Sequence, residues 1–167
     1  MKVAIILGSV SDFQKVKDAC DYFSSMGVTF ELRALSAHRT GKELEHYIKT
    51  NDKDINVFIA AAGKAAHLPG VIASQTTKPV IGIPIKSTAL DGMDALLSIV
   101  QMPPGVPVAT VAIDASKNAA ILACQILALS NKDLSEKMVA FKNKMREDVL
   151  IAEAKLLEDV EKEYNLK

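Results

Sequence analysis

Apolar residues come in short blocks along this chain, at Val3 to Leu7, Val28 to Leu35, Ile55 to Ala61, Val80 to Ile85 and Val106 to Ile113. Blocks this short and rich in β-branched residues have the length and composition of buried strands. Between them the apolar positions recur at helical spacing, which predicts helices over about Phe13 to Met26, Gly41 to Thr50, Leu68 to Ser74 and Gly92 to Gln101. Strands that alternate with helices and read as near-continuous apolar runs belong to a parallel sheet covered on both faces. The expected architecture is therefore α/β, a three-layer αβα sandwich. No linker, repeat or low-complexity stretch interrupts the alternation, and 167 residues are enough for one core but too few for two ordinary domains. A single domain over 1–167 is expected.

The pattern changes toward the end of the chain. A helix over Asn118 to Leu129 is apolar on nearly every side, so more than one surface must cover it. Beyond it Leu134, Met138, Phe141, Met145, Val149 and Ala152 recur every three or four residues with charges between them. A continuous helix from Leu134 to Tyr164 would be roughly 45 Å long, the diameter of a globule of this size. Residues 131–165 are thus expected to form a long C-terminal helical extension that contacts other copies of the chain.

Charge removes some classes of partner. Twenty Lys and Arg balance twenty Asp and Glu, so no long-range field recruits nucleic acid or an anionic membrane. The N-terminus reads as neither a signal nor a transit peptide, and no apolar run approaches the roughly 20 residues of a membrane span, so a cytoplasmic location is expected. Cys20 and Cys124 lie far apart with no ligand-type spacing around either, which predicts buried free thiols and no metal site.

In open parallel sheets a ligand sits outside the carboxyl ends of the strands, so the residues just past each strand carry the chemistry. After the first strand come Gly8, Ser9, Val10, Ser11 and Asp12, a hydroxyl-rich turn that leads into a helix. A helix N-terminus with unpaired N–H groups, two serine hydroxyls and a glycine that allows close approach suits a phosphate. Alternatively, Ser11 or Asp12 simply caps the helix. After the second strand Arg39 offers a planar fork of donors that can meet an anion held by Ser9 and Ser11, and Asp12 can accept from ribose hydroxyls. Neither the three-glycine dinucleotide fingerprint nor a Walker lysine is present, so a ribose monophosphate fits better than a dinucleotide or a triphosphate. His38 is the loop imidazole beside this site and the candidate proton carrier, or else one more phosphate donor. His46 falls within a helix and reads as solvent-exposed. His67, ahead of Leu68 and Pro69, either shapes a helix start or lines the pocket. A phosphoacceptor receiver domain is excluded, because the third strand ends in Ala60, Ala61 and Ala62 rather than an aspartate.

Four motifs in order, Gly8-Ser9-Val10-Ser11-Asp12, Ser36-Ala37-His38-Arg39-Thr40, Ala65-Ala66-His67-Leu68-Pro69-Gly70 and Ser98-Ile99-Val100-Gln101-Met102-Pro103, resemble those of the N5-carboxyaminoimidazole ribonucleotide mutase family of purine biosynthesis. The resemblance spans Val3 to about Leu129. It implies a flavodoxin-like central sheet, a homo-octamer with active sites completed across interfaces, and no ATP, metal or organic cofactor. The implied reaction moves a carboxylate from the exocyclic nitrogen of an aminoimidazole ribonucleotide to ring carbon four, by release and recapture of carbon dioxide in a closed pocket. By the same resemblance His38 is the catalytic proton shuttle, Ser9, Ser11 and Arg39 hold the phosphate, Asp12 the ribose, and Ser36 borders the 5′ end. The loop Ala62 to Leu68, with Gly63, Ala65, Ala66, His67 and Leu68, contacts the imidazole and its carboxylate. Leu90 to Leu97, with Asp91, Gly92 and Asp94, closes over the base.

Two positions depart from the family pattern. Ala61-Ala62-Gly63-Lys64 stands where the family shows Gly-Ala-Gly-Gly, so a bulky cation replaces a glycine. Related carboxylases that use free carbon dioxide carry an arginine in that loop, which leaves the carboxyl donor open between mutase and carboxylase. Asp114-Ala115-Ser116-Lys117 replaces a glycine-rich connection and is expected to have no chemical consequence. A noncatalytic ribonucleotide-binding module is the other alternative, since it would share the phosphate turn and Arg39.

Overall fold

The computed structural model describes residues 1–88 and 90–165. Ala89, and residues 166 and 167 of the single domain expected over 1–167, lie outside the described residues. The chain forms two compact units, Met1–Leu127 and Ala128–Lys167.

The first unit alternates strand and helix: β1 (Lys2–Leu7), α1 (Phe13–Met26), β2 (Thr29–Ala34), α2 (Gly41–Asn51), β3 (Val57–Gly63), α3 (Leu68–Ala73), β4 (Val80–Ile85), α4 (Met93–Val100), β5 (Ala109–Thr110) and α5 (Ser116–Ala128). The sheet order is β2-β1-β3-β4-β5 and every pair is parallel. The chain winds outward from β1 to β2, then returns past β1 to β3, and right-handed crossovers in these opposite directions put helices on both faces. Ala4 and Ile6 of β1, Phe58, Ala60 and Ala62 of β3, and Leu44, Ile48, Leu68, Ile72 and Ile99 of the helices form one buried cluster. The alternate strand residues Val3, Ile5, Val57, Ile59, Ile81 and Ile83 point the other way and are just as buried. A sheet covered twice needs apolar residues at both parities, which explains the unbroken apolar runs.

The last strand is much shorter than its apolar run. Successive residues of a strand turn their N–H and C=O to opposite edges. The Gly82 carbonyl accepts from the Val111 N–H at 3.1 Å, so Pro84, two residues on, also faces β5 and has no N–H to offer it. The ladder therefore stops at Gly82–Thr110.

In the second unit α6 (Lys132–Tyr164) is one unbroken helix of 33 residues, or about 50 Å. Asn131 caps it by accepting from the Leu134 N–H at 2.8 Å. Every residue from 142 to 159 is exposed. Among the described residues no helix is long and apolar enough to cross a membrane.

Candidate active site

A cleft of about 410 Å³ opens across the carboxyl ends of β1, β2, β3 and β4. It is lined by residues that follow each strand, including Ser9, Ser11, Asp12, Ser36, His38, Arg39, Gly63, Ala66 and Leu68. Residues distant in sequence meet here because parallel neighbours end together, with Leu7 level with Ala34 on one side and Ala61 on the other.

The β1 turn does not open directly into α1. A single 3-10 turn, Val10–Asp12, intervenes, and it is capped by Ser9 rather than by Ser11 or Asp12. The Ser9 hydroxyl accepts from the Ser11 N–H at 3.3 Å and from the Ser11 hydroxyl at 2.8 Å. Asp12 makes no side-chain cap bond to α1 and lines the cleft instead. Burial pushes its carboxyl above the ordinary carboxylate value, against the lowering effect of bonds from Ser11 and Ser9.

The β2 loop is tied to itself and to the β1 turn. The Thr40 N–H and hydroxyl donate to the Ser36 carbonyl at 2.9 and 3.1 Å, and the Thr40 hydroxyl accepts from the Ser36 N–H at 2.8 Å. The Arg39 N–H donates to the Ser36 hydroxyl at 3.3 Å, and its guanidinium Nη2 reaches across to the Gly8 carbonyl at 3.2 Å. A guanidinium held over the serine turn leaves further N–H donors of its fork for an anion. His38, exposed between these fixed residues, lines the same cleft.

The other half of the cleft comes from β3 and β4. Lys64 follows Gly63 with φ 59, in the left-handed region where glycine is unstrained. That explains the glycine of the family pattern there, and Lys64 lines the cleft. Ala65 and His67 are not among the cleft-lining residues. The His67 Nδ1 lies 2.6 Å from the Ser98 carbonyl, and its ring occupies the space that a Gly70 side chain would need, so it shapes the start of α3. Asp91, Gly92 and Asp94 are also outside the lining set. Ile85, Lys86 and Ser87 do line it. Lys86 and Ser87 come directly after a buried strand, where ligand-binding residues are expected, and Ile85 is the last residue of β4 itself.

Elsewhere the outcomes are plainer. His46 is exposed on α2. Cys124 is buried and its thiol is pushed up to about 11 by burial, whereas Cys20 is only half-buried, because it sits toward the edge of the apolar face of α1. Asp114 takes a left-handed φ of 57 and accepts from the Lys86 N–H at 3.0 Å while pairing with Lys15, so its role is to hold the β4 exit. Among the described residues no group of three or more His, Cys, Asp and Glu could hold a metal ion.

An open parallel sheet whose strand ends surround a hydroxyl- and cation-lined cleft defines an α/β protein built to bind a small anionic ligand. The AIR carboxylase family matches residues 2–148, and the chain belongs to that family. Relatives include the N5-carboxyaminoimidazole ribonucleotide mutase of Methanocaldococcus jannaschii, 51% identical over 93% of this chain and 98% of that one. The protein of the same name from Mycobacterium leprae is 46% identical over 93% of this chain and 91% of its own. The crystal structure of Treponema denticola PurE superposes with a TM-score of 0.86 at 25% identity, covering 93% of this chain and 98% of that chain.

Proposed function

We propose that this protein catalyses the conversion of N5-carboxyaminoimidazole ribonucleotide to 4-carboxyaminoimidazole ribonucleotide in purine biosynthesis, working in the cytoplasm. The observation that carries the reading is one cleft lined at its β1–β2 end by Ser9, Ser11 and Arg39 together with the imidazole of His38. Relatives about half identical over most of the chain carry the mutase name, which supports the same chemistry here.

Ser9, Ser11 and Arg39 bind the phosphate, Asp12 accepts from the ribose hydroxyls, and Ser36 borders the 5′ end. Gly63, Ala66 and Leu68 flank the base, and Ala65 and His67 act from behind the cleft wall through the backbone of that loop. The N–CO₂ bond breaks, its electron pair stays on the exocyclic nitrogen, and that nitrogen takes a proton from the His38 imidazolium. Ring carbon four, made electron-rich by the amine, then attacks the confined carbon dioxide. His38, now neutral, removes the proton from carbon four and restores the aromatic ring, so the proton it gives stays on the exocyclic nitrogen and the one it takes back comes from carbon four. A positioned acid–base group of this kind is worth about 100- to 10,000-fold in rate.

The second reading, direct carboxylation of aminoimidazole ribonucleotide by free carbon dioxide, draws on Lys64 and on the phosphoribosylaminoimidazole carboxylase of Schizosaccharomyces pombe. That protein is 52% identical over 89% of this chain, which covers 27% of it. Supplying purified protein with either N5-carboxyaminoimidazole ribonucleotide or aminoimidazole ribonucleotide plus bicarbonate separates the two. Turnover of the first without ATP is expected; turnover of the second alone would replace the mutase reading.

We also propose that the chain works as a homo-octamer. The exposed apolar residues Val139, Met145, Val149, Ile151, Leu156 and Leu157 of α6 support contact between copies. Light scattering that returns a fully active monomer would refute it.

A further inference from the structure

Three cations line the cleft, and two of them are engaged. Arg39 is bonded to Gly8 and Ser36 at the β1–β2 end, and Lys86 pairs with Asp91 at 3.1 Å. Lys64 has no ion pair or hydrogen bond among the described residues. Its backbone makes this more informative. At φ 59 a glycine would be relaxed and an L residue is rarely found, so the turn itself does not call for a lysine. An observed backbone outlier in a cleft is where a functional side chain is to be sought.

Beside it stands a second group of the same kind. Gly63 is paired with Ile85 in the β3–β4 ladder, so Lys64 and Ser87 leave adjacent strand ends. The Ser87 Oγ is buried, lines the cleft, and has no hydrogen-bond partner among the described residues. An ammonium and a hydroxyl at one place form a donor set for a carboxylate. The distance is also right. From the β2–β1 crevice to the β3–β4 crevice is two strand spacings, about 10 Å, comparable to the span from the phosphate of a ribonucleotide to the far edge of its base.

We propose that Lys64, together with Ser87, receives the carboxylate carried by the base and thereby sets the preference of this site for carboxylated over uncarboxylated aminoimidazole ribonucleotides. The inference rests on the ribonucleotide reading of the cleft and deepens it. Arg39 and the serine turn grip the end that all such nucleotides share; Lys64 and Ser87 recognise the group that moves.

The test compares, by calorimetry on the assembled protein, the binding of 4-carboxyaminoimidazole ribonucleotide and of aminoimidazole ribonucleotide, which differ only in the carboxylate. Lys64→Met should weaken the first by about tenfold, as expected for loss of one charge-assisted contact, and leave the second unchanged. Lys64→Arg should restore the first, and Ser87→Ala should weaken it to a smaller degree. Lys64→Gly relaxes the backbone, so it should melt no lower than the parent and bind as Lys64→Met does. Equal weakening of both nucleotides by Lys64→Met, or undiminished binding of the carboxylated one by Lys64→Gly, overturns the proposal while leaving the mutase reading intact. Failure of the unaltered protein to bind either nucleotide sinks both.

Discussion

The two halves of the cleft are built on opposite plans. Around β1 and β2 the polar groups bond to one another: Ser11 to Ser9, Thr40 to Ser36, Arg39 to Ser36 and Gly8. Around β3 and β4 the backbone turns through a left-handed conformation at Lys64, and the buried Ser87 hydroxyl has no hydrogen-bond partner among the described residues. The first half is organised before any ligand arrives, so binding there costs little reordering. The second half stores strain and unmet donors, which a ligand can relieve. A site that must hold one end of a molecule still while a group moves at the other gains from this division.

The sharpest way to break the comparison is to separate grip from chemistry in the first half. His38→Asn should lower kcat by about 100- to 10,000-fold while calorimetry shows ribonucleotide binding retained. Equal loss of both would make His38 part of the grip. Arg39→Ala should do the reverse, raising KM by about tenfold or more through loss of a charge-assisted phosphate contact, with kcat far less affected. Behind the second half, outside the cleft lining, Gly92 is the mechanical test. Its φ is +92, and an added Cβ would lie 2.7 Å from Ile113 Cγ2 and 3.2 Å from the Lys86 backbone. Gly92→Ala should therefore lower unfolding stability in urea by about 1–3 kcal/mol.

The smallest effect concerns Asp12, where function and stability oppose each other. Burial raises its carboxyl pKa in the folded state above the unfolded value, so folding favours the protonated form. That contribution is full below the ordinary carboxylate range and is lost as pH rises through the raised value. Asp12→Asn should accordingly melt slightly higher than the parent at pH 7 and match it near pH 3, while binding ribonucleotide more weakly. Thermal scans at the two pH values check the sign.

Much of this could be read in advance because the sheet is covered on both faces and its strands are written as apolar runs. Val80–Ile85 and Phe13–Met26 are found at their expected limits. The fifth strand is not, since one proline in β4 decides how far its neighbour can pair, and periodicity within a single segment carries nothing about a partner's missing N–H. In the cleft, Ser9, Ser11, His38 and Arg39 were legible as polar residues immediately after strands. Ser87 was marked only by its place after a strand, because a lone hydroxyl acquires further meaning only when its surroundings are seen to leave it without a partner among the described residues. His67 was ambiguous in the sequence, and its contact with the Ser98 carbonyl, 31 residues away, is a tertiary fact.

Helix α6 carries a different lesson. From residue 142 to 159 every residue is exposed, so within one chain this stretch relies on helix propensity and on weak surface pairs such as Lys144–Asp148 at 2.7 Å. The sheet, by contrast, unfolds only when a shared core is breached. Melting of the isolated chain is therefore not a single cooperative event: the far turns of α6 fray first, and one transition temperature would describe neither part.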